Sequence, residues 1–122
     1  MLAELDADIR QDGDRVALRL APPAWLADEL GRLDPAAGCA LVDAAVDTAL
    51  ARRLPTGSAV RVLSMDLTVV RSLPLQEDVA AVATVRHVGR RLAVVDVEVG
   101  PAEAPPSVLA RATVARASQG LP

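Results

Sequence analysis

The hydrophobic pattern changes its period along the chain, and the changes separate one helix from the strands before and after it. Residues 33–50, LDPAAGCALVDAAVDTAL, are apolar or small on nearly every side of a helical wheel. Asp34 is a preferred N-cap residue and Pro35 suits the first helical position, while Pro55 ends the helical pattern. The pattern therefore predicts one buried helix over about residues 35–53.

Beyond the helix the period falls to two, which is typical of strands with one buried face. In the stretch VRVLSMDLTVVRSL, Leu63, Met65, Leu67 and Val69 are expected on one face. Three further alternating stretches follow, and the first two of them are joined near Gly89. The predicted strands cover residues 59–71, 78–88, 91–99 and 107–117.

Two alternating stretches also precede the helix. They cover residues 2–10 and 15–20 and flank Asp12-Gly13, and Asp-Gly is a strong signal for a tight hairpin turn. A helix that is apolar on all sides needs cover on all sides, and several strands with apolar faces can wrap it. The order of elements therefore predicts an α+β fold, with a curved antiparallel β-sheet around one central α-helix, as a single domain over residues 1–122.

Composition and charge exclude several classes of function. The formal net charge is −3 and Trp25 is the only aromatic residue, so neither a basic field nor a stacking platform for nucleic acid is expected. All 13 basic residues are Arg, and a chain without Lys has no Schiff base and no P-loop. One His and one Cys cannot build a zinc site, so no metal is expected.

The chain also lacks the sequence features of an exported or membrane protein. The opening MLAELDADIRQDGD is acidic and carries no apolar run, which predicts no signal peptide. No apolar stretch reaches the ~20 residues that span a bilayer, so no membrane partner is expected. Cys39 is the only cysteine, which fits a reducing compartment. We expect a cytoplasmic protein, and the bias toward Ala, Arg, Asp, Gly and Pro suggests GC-rich bacterial coding.

Two carboxylates stand in the predicted helix, Asp43 and Asp47, one turn apart on the same face. Burying an unpaired carboxylate is unfavourable, so its retention indicates a use as nucleophile or general base. The alternative is structural, because Asp43 could pair with an Arg from the sheet or across a dimer interface. Asp47 could hold a water molecule or bond to strand residues.

Three stretches of the chain carry a resemblance to a known family. They are DLTVV, then the turn Gly89-Arg90-Arg91 followed by LAVVDVEV, and finally LARATV. Together with the order of one helix and four strands, these stretches resemble the hotdog-fold acyl-CoA thioesterases, and most of all the phenylacetate-degradation type. The resemblance covers roughly residues 33–117 and implies the hydrolysis of an acyl-CoA thioester.

The resemblance also implies a set of catalytic groups at the start of the helix. The family usually opens this helix with His-Gly-Gly, four variable residues, and then Leu, one residue and an acid. Leu41-Val42-Asp43 matches the end of this motif, so Asp43 is implied as the catalytic carboxylate, while Asp34-Pro35-Ala36 stands where the family has His-Gly-Gly. The amides of Ala36 and Ala37 are implied as the oxyanion hole, and the Asp34 side chain would compete for them as a cap.

The resemblance also implies which residues bind coenzyme A and how many subunits assemble. Arg86, Arg90 and Arg91 cluster near the Gly89 turn, and forked guanidinium groups suit the phosphates of coenzyme A. Family sites form between two subunits, which implies a homodimer or a homotetramer. No cofactor is implied, because the coenzyme A thioester is itself the substrate.

A different class of function remains open. The chain could be a non-catalytic hotdog module that binds an acyl-CoA, an acyl carrier or a protein partner, with the His-Gly-Gly turn lost. Gly38 and Cys39 are expected to provide close packing of the helix, with the thiol as a small apolar filler. His87 is expected at the surface, away from the position that a dehydratase of this fold would need.

Overall fold

The computed structural model describes residues 8–75 and 77–117, and it contains one long helix and one sheet of six strands. The first predicted strand begins at residue 2, so the part of it before Asp8 lies outside the described residues. The elements are β1 (Asp8–Asp12), β2 (Arg15–Leu20), α1 (Pro35–Arg53), β3 (Ala59–Val69), β4 (Val79–Val88), β5 (Leu92–Pro101) and β6 (Val108–Ala117), with a short 3₁₀ turn at Ala24–Leu26.

The sheet is antiparallel throughout, and its strand order is β1-β2-β4-β5-β6-β3. β1 and β2 form the hairpin that Asp12-Gly13 predicts, and Gly13 takes the positive φ of 61° that such a tight turn uses. β3 follows the helix in the chain but lies at the far edge, next to β6. The predicted α+β class, a curved antiparallel sheet with a single central helix, is confirmed.

The helix begins and ends where its capping residues stand. The Asp34 carboxylate accepts a hydrogen bond from the Ala36 amide at 2.8 Å, and Pro35 occupies the first helical position. At the other end Arg52 and Arg53 lie in the last turn, where positive charge suits the helix dipole. The structure gives α1 the bounds that these signals predicted.

The core lies between α1 and the inner face of the sheet. The helix packs on β2, β4 and β5, and each of these strands alternates buried and more exposed positions as a sheet with one covered face must. Burial of these aliphatic side chains is the main stabilising contribution to the fold. The largest fully buried side chains include Leu18, Leu41, Val42, Val46, Leu50, Val95, Val97 and Val99.

One expectation about the helix is wrong: the sheet does not cover it on every side. Leu41, Val42 and Ala45 are fully buried, whereas a stripe on the opposite face is open to solvent or only partly covered. Cys39 lies on this stripe and is exposed, so it is not the packing residue that was expected, while Gly38 is buried against Leu33. We call this stripe the open face of α1. It consists of Ala36, Cys39, Ala40, Asp43, Asp47 and Ala51.

The expected pattern of β3 is also wrong in part, because the strand carries a bulge between Val62 and Ser64. A bulge inserts one unpaired residue and reverses the alternation beyond it. Leu63 is therefore 51% exposed instead of facing the core. Four residues of β3 lie partly buried against the core, namely Val60, Val62, Met65 and Leu67.

Candidate active site

Asp43 lies in the middle of the open face of α1 and is partly exposed. Within residues 8–75 and 77–117, neither a hydrogen bond nor an ion pair engages its carboxylate, so the structural alternative of an Asp43–Arg pair inside one chain is absent from this region. A carboxylate that is partly desolvated and unpaired is free to accept a proton or to attack an electrophile.

Asp47 is more exposed than Asp43 and lies one turn further along the same face. Partial burial raises the pKa of the Asp47 carboxyl, and the negative charge of Asp43 raises it further. The two carboxylates are at the i, i+4 spacing, at which like charges repel across one helical turn. The open face thus carries a local concentration of negative charge that the fold itself does not neutralise.

The raised pKa of Asp47 predicts that Asp47→Asn stabilises the protein at neutral pH, because partial burial and then the charge of Asp43 disfavour the ionised carboxylate. Because the pKa of Asp47 is raised in the folded state, the stability linked to this group is present below the ordinary carboxyl pKa of about 4 and is lost as the pH rises through the raised value. We expect Asp47→Asn to add about 0.2–0.5 kcal/mol to the free energy of unfolding at pH 7 and little at pH 4.

Urea unfolding of both proteins at pH 4 and pH 7 measures this difference. Glu29→Gln removes a negative charge from an exposed loop and is the control for a general effect of net charge. An equal gain at both pH values, or an equal gain from Glu29→Gln, would show that the unfavourable ionisation of Asp47 on the open face is not the cause.

The N-terminus of α1 offers fewer free amide donors than the N-terminus of an uncapped helix. Pro35 has no amide hydrogen, the Ala36 amide donates to the Asp34 carboxylate, and the Gly38 amide donates to the Asp34 carbonyl at 2.8 Å. For the Ala37 amide, the described residues provide no acceptor. Of the two amides implied as an oxyanion hole, Ala37 is thus available and Ala36 is occupied by the cap.

The three implied arginines differ in their contacts. Arg86 donates to the Asp96 carboxylate at 2.9 Å on the outer face of the sheet, and Arg111 binds both oxygens of the same carboxylate. The bond from Arg111 has the largest effect on the pKa of Asp96 and lowers it; burial opposes this, and the bond from Arg86 lowers the pKa further, so the net shift is downward. Arg90 and Arg91 are exposed at the β4–β5 turn, where no ion pair within the described ranges involves them.

The β4–β5 turn itself is held by the neighbouring strand. Arg116 on β6 donates from its guanidinium to the Gly89 carbonyl, and its backbone amide donates to the Arg91 carbonyl at 2.7 Å. His87 is exposed, as expected, beside the same turn. The turn therefore presents Arg90 and Arg91 on a fixed backbone, which suits the binding of an anionic group.

A cleft adjoins Asp47, and sequence patterns did not reveal it. It has a volume of about 410 Å³ and lies between the C-terminal half of α1 and the start of β3. Its helical residues, Asp47, Leu50, Ala51 and Leu54, follow the i, i+3, i+4, i+7 spacing of one helix face. That spacing is visible in the sequence, but β3 supplies the opposite wall and its position could not be inferred.

The family model described as the thioesterase superfamily matches residues 36–104, which is more than half of the 122 residues. The chain therefore belongs to the thioesterase superfamily. Among curated proteins, none matches the chain. The phenylacetate-degradation type within the superfamily stays a prediction.

Solved structures confirm the hotdog fold. A variant of the thioesterase PA1618 from Pseudomonas aeruginosa is 22% identical, with a TM-score of 0.81 over 93% of this chain and 83% of that one. The thioesterase HI1161 from Haemophilus influenzae is 20% identical, with a TM-score of 0.85 over 98% and 84%. BH2602 from Bacillus halodurans, solved with coenzyme A, is 20% identical, with a TM-score of 0.80 over 95% and 76%.

Membership of the superfamily supports thioester hydrolysis in general. The matched range includes Asp43, Ala36 and Ala37, so the helix that carries the candidate groups lies inside the family region. No helix among the described residues has the length and apolar character needed to cross a membrane.

Proposed function

We propose that the protein hydrolyses acyl-CoA thioesters and that Asp43 is the catalytic carboxylate. The observation that carries this proposal is the state of Asp43, whose carboxylate is partly buried, unpaired among the described residues and placed on the face of α1 that the sheet leaves open. A stabilising role would require a partner for this charge. A catalytic role requires access to substrate, which the open face provides.

The chemistry follows from the groups along the helix. Asp43 removes a proton from a water molecule that attacks the thioester carbon, or it attacks that carbon itself. The oxygen of the carbonyl then becomes an oxyanion, and a free Ala37 amide at the positive end of a helix dipole stabilises it. Because Ala37 and Asp43 of one helix lie about 9 Å apart along its axis, the amide at each site comes from the helix of the second copy. In the route through water, collapse of this intermediate breaks the C–S bond, the proton taken up by Asp43 passes to the sulfur, and coenzyme A leaves as its thiol beside the carboxylic acid. In the route of direct attack, coenzyme A leaves as the thiolate and a mixed anhydride remains on Asp43, which water then hydrolyses to the carboxylic acid.

Coenzyme A recognition is assigned to the β4–β5 turn. Arg90 and Arg91 are exposed there and can form bidentate contacts with the phosphates of the ligand. Arg86 is already engaged by Asp96, so its contribution to phosphate binding requires that this ion pair opens or that Arg86 shares its donors. Arg90 and Arg91 are therefore better placed than Arg86 to bind phosphate.

The active unit is proposed to be a homodimer that pairs through β3, on its own or as half of a homotetramer. β3 is an edge strand of 11 residues without proline, and among the described residues no element pairs with its outer side. Long, flat, apolar edge strands are templates for pairing with another chain. A second copy on this edge would also lie beside the open face of α1, and it would shield Asp43 from bulk water.

The occupied amide of Ala36 supports a second candidate function, a non-catalytic module that binds acyl-CoA. The Asp34 carboxylate fills the position where an oxyanion would otherwise bind, and it adds a negative charge that repels one. Such a module would retain the coenzyme A contacts at Arg90 and Arg91 without turnover.

Release of free thiol from a panel of acyl-CoAs distinguishes the two functions. The enzyme should release thiol with saturable kinetics from at least one acyl chain length. A binding module would release none, yet would bind non-hydrolysable alkyl-thioether analogues of coenzyme A in calorimetry.

The Asp34 carboxylate and the substrate oxyanion compete for the Ala36 amide. We therefore predict that Asp34→Gly increases the rate of hydrolysis. Glycine is accepted at the N-cap with a stability loss of only a few tenths of a kcal/mol, and it frees the Ala36 amide. Because one oxyanion donor contributes on the order of 10²–10³ in kcat, we expect at least a ~10-fold increase.

Asp34→Asn is the matched control, because Asn caps a helix as well as Asp does but carries no charge. A rise in kcat with Asp34→Gly alone assigns the effect to the freed amide. An equal rise with both variants would assign it to the removed charge, and no rise with either would show that Ala36 does not bind the oxyanion.

A further inference from the structure

Charge is distributed unevenly over the molecule, and one end of the sheet is strongly basic. The β1–β2 turn, the C-terminal end of α1, the start of β3, the β4–β5 turn and the end of β6 all lie at this end. We call residues 11–15, 52–61, 86–92 and 115–117 the basic end. Among the described carboxylates it contains only Asp12 and Asp14, whereas it contains eight of the 13 arginines. These are Arg15, Arg52, Arg53, Arg61, Arg86, Arg90, Arg91 and Arg116.

Contacts between these segments show that they form one continuous surface. Arg53 donates to the Asp14 carboxylate at 3.1 Å and Arg52 donates to Gln11 at 3.2 Å, which joins the helix end to the β1–β2 turn. The Asp14 carbonyl accepts from the Val85 amide at 2.9 Å, just before the β4–β5 turn. β6 holds that turn from the other side through two hydrogen bonds. The formal net charge of −3 therefore conceals a local basic surface.

Most of this positive charge is not neutralised within the chain. Asp14 pairs with Arg53, and Asp96 pairs with Arg86. In the described ranges, no ion pair engages the five other arginines that are exposed at this end. Coenzyme A bound at the β4–β5 turn would use only two of them, so the surface suits a larger anionic partner. The five are Arg15, Arg52, Arg61, Arg90 and Arg91.

The basic end adjoins the open face of α1. This face extends along the helix as far as Ala51, directly before Arg52 and Arg53. Asp43 and Arg53 are ten residues apart on α1, which corresponds to ~15 Å along the helix axis. An extended phosphopantetheine arm spans this distance. A protein docked on the basic end can therefore present a thioester to Asp43 on such an arm.

We propose that the basic end docks an acidic protein that carries the acyl group as a thioester on a phosphopantetheine arm, and that this loaded protein is the substrate. The inference rests on the proposed thioesterase function, because it takes Asp43 as the group that acts on the thioester. Water adds to the acyl carbon and the C–S bond breaks, so the carrier keeps its arm as the free thiol and the acyl group leaves as the carboxylic acid. Carboxylates on the carrier surface match the forked guanidinium groups of the basic end.

The rest of the molecule favours a small acidic protein over other polyanions. Outside the basic end the chain has many more carboxylates than arginines, so a long nucleic acid that extended past this end would meet negative charge. Trp25 is the only aromatic residue, and it lies near the N-terminus of α1, where the Asp34 amide donates to the Leu26 carbonyl. It therefore supplies neither a membrane anchor nor a stacking platform at the basic end.

Comparison of two substrates with the same acyl group tests the docking. One is the acyl-CoA, and the other is a purified bacterial acyl carrier protein, a small acidic protein, loaded with that group. At an ionic strength of about 0.01 M we expect kcat/KM for the loaded carrier to exceed that for the acyl-CoA by at least ~10-fold. The excess should disappear near 1 M, because attraction between surface charges raises association rates by roughly 10–10³ and is screened by salt. An equal or lower kcat/KM for the loaded carrier at low salt overturns the proposal.

The double variant Arg15→Gln/Arg52→Gln locates the docking surface. Both residues are exposed, and neither is assigned to coenzyme A or lies on β3. We expect kcat/KM for the loaded carrier to fall by about 10-fold, mainly through KM, while kcat/KM for the acyl-CoA stays within about threefold of wild type. Arg32→Gln/Arg71→Gln is the matched control, because it removes two exposed charges at the opposite end of the sheet. An equal fall with the control pair would show that net charge, and not the basic end, is the cause.

Binding without turnover separates this proposal from the proposed function. Calorimetry with a carrier that bears an alkyl thioether on its arm should give a Kd that rises about 10-fold in Arg15→Gln/Arg52→Gln at low salt. If it does so where neither substrate is hydrolysed, the docking stands and the hydrolytic function fails. If the acyl-CoA is hydrolysed but this Kd does not change, the docking fails and the hydrolytic function stands. Tighter binding of wild type to double-stranded DNA or to anionic vesicles than to the carrier would overturn the choice of an acidic protein.

Discussion

Replacing Asp43 with Asn is expected to lower kcat for acyl-CoA hydrolysis by about 10²–10⁴, with little change in the fold or in coenzyme A binding. The amide has nearly the size and shape of the carboxylate, but it neither accepts a proton at neutral pH nor attacks a thioester. Since the Asp43 side chain has no partner within the described residues, its replacement removes no stabilising contact from the chain.

Three measurements together make this prediction specific. The kcat reports the chemical step, calorimetry with an alkyl thioether of coenzyme A reports binding, and thermal unfolding reports the fold. Asp12→Asn is the matched control, because it makes the same chemical change at an exposed position of β1 that neither the proposed mechanism nor the proposed interface uses. If Asp43→Asn kept kcat within about threefold of wild type, Asp43 would not be the catalytic carboxylate.

Leu63→Lys is expected to convert the protein to a monomer and to lower kcat/KM by at least ~100-fold. Leu63 is 51% exposed at the bulge of β3, next to the middle of this edge strand. Two copies paired about a two-fold axis near Ser64 would place their residues 63 close together, and like charges directly opposite across paired strands are destabilising. Lysine on an edge strand also opposes pairing.

Leu109→Lys provides the comparison for this variant. Leu109 is also exposed, at 41%, but it lies on β6, which is paired on both sides within the sheet. Sedimentation would give the mass of each variant, and thiol release would give its activity. An active monomer of Leu63→Lys would contradict the proposal that the site requires the second copy, and a dimer that persists would place the interface elsewhere.

The bounds of the helix were predictable because the residues that begin and end it act locally. Asp34 and Pro35 are suited to the first turn whatever the rest of the chain does, and Arg52 and Arg53 suit the last one. Alternation likewise predicted the inner face of β5, where the alternate residues from Ala93 to Val99 are buried. Such features depend on neighbours in the sequence, which is why the sequence alone revealed them.

The uncovered side of the helix could not be predicted, because Ala and Cys fit a buried or an exposed position equally well. Ala40 and Cys39 lie toward the open side, whereas Ala44 and Ala45 are buried, and nothing in the residue types distinguishes the two pairs. The side that the sheet covers depends on the strand order, which places β3 at the edge instead of over the helix.

The candidate site was predictable only in its individual residues. Asp43 was implied by the Leu-x-Asp pattern, and competition for the Ala36 amide followed from the capping preference of Asp34. The pairing of Arg86 with Asp96 depends on the register of β4 against β5, which a second bulge at residues 85–87 shifts. Register of this kind involves residues distant in sequence, so no local pattern reveals it.

The most direct test of the proposed chemistry is a crystal structure of the protein with a ketone analogue of an acyl-CoA, in which a methylene separates the sulfur from the carbonyl group. The proposed function predicts the carbonyl oxygen within hydrogen-bonding distance of the Ala37 amide of one copy, the Asp43 carboxylate of the other copy beside the carbonyl carbon, and phosphates at Arg90 and Arg91. A carbonyl group bound away from Asp43, with its oxygen held by other donors, would contradict the assignment of this helix as the catalytic element.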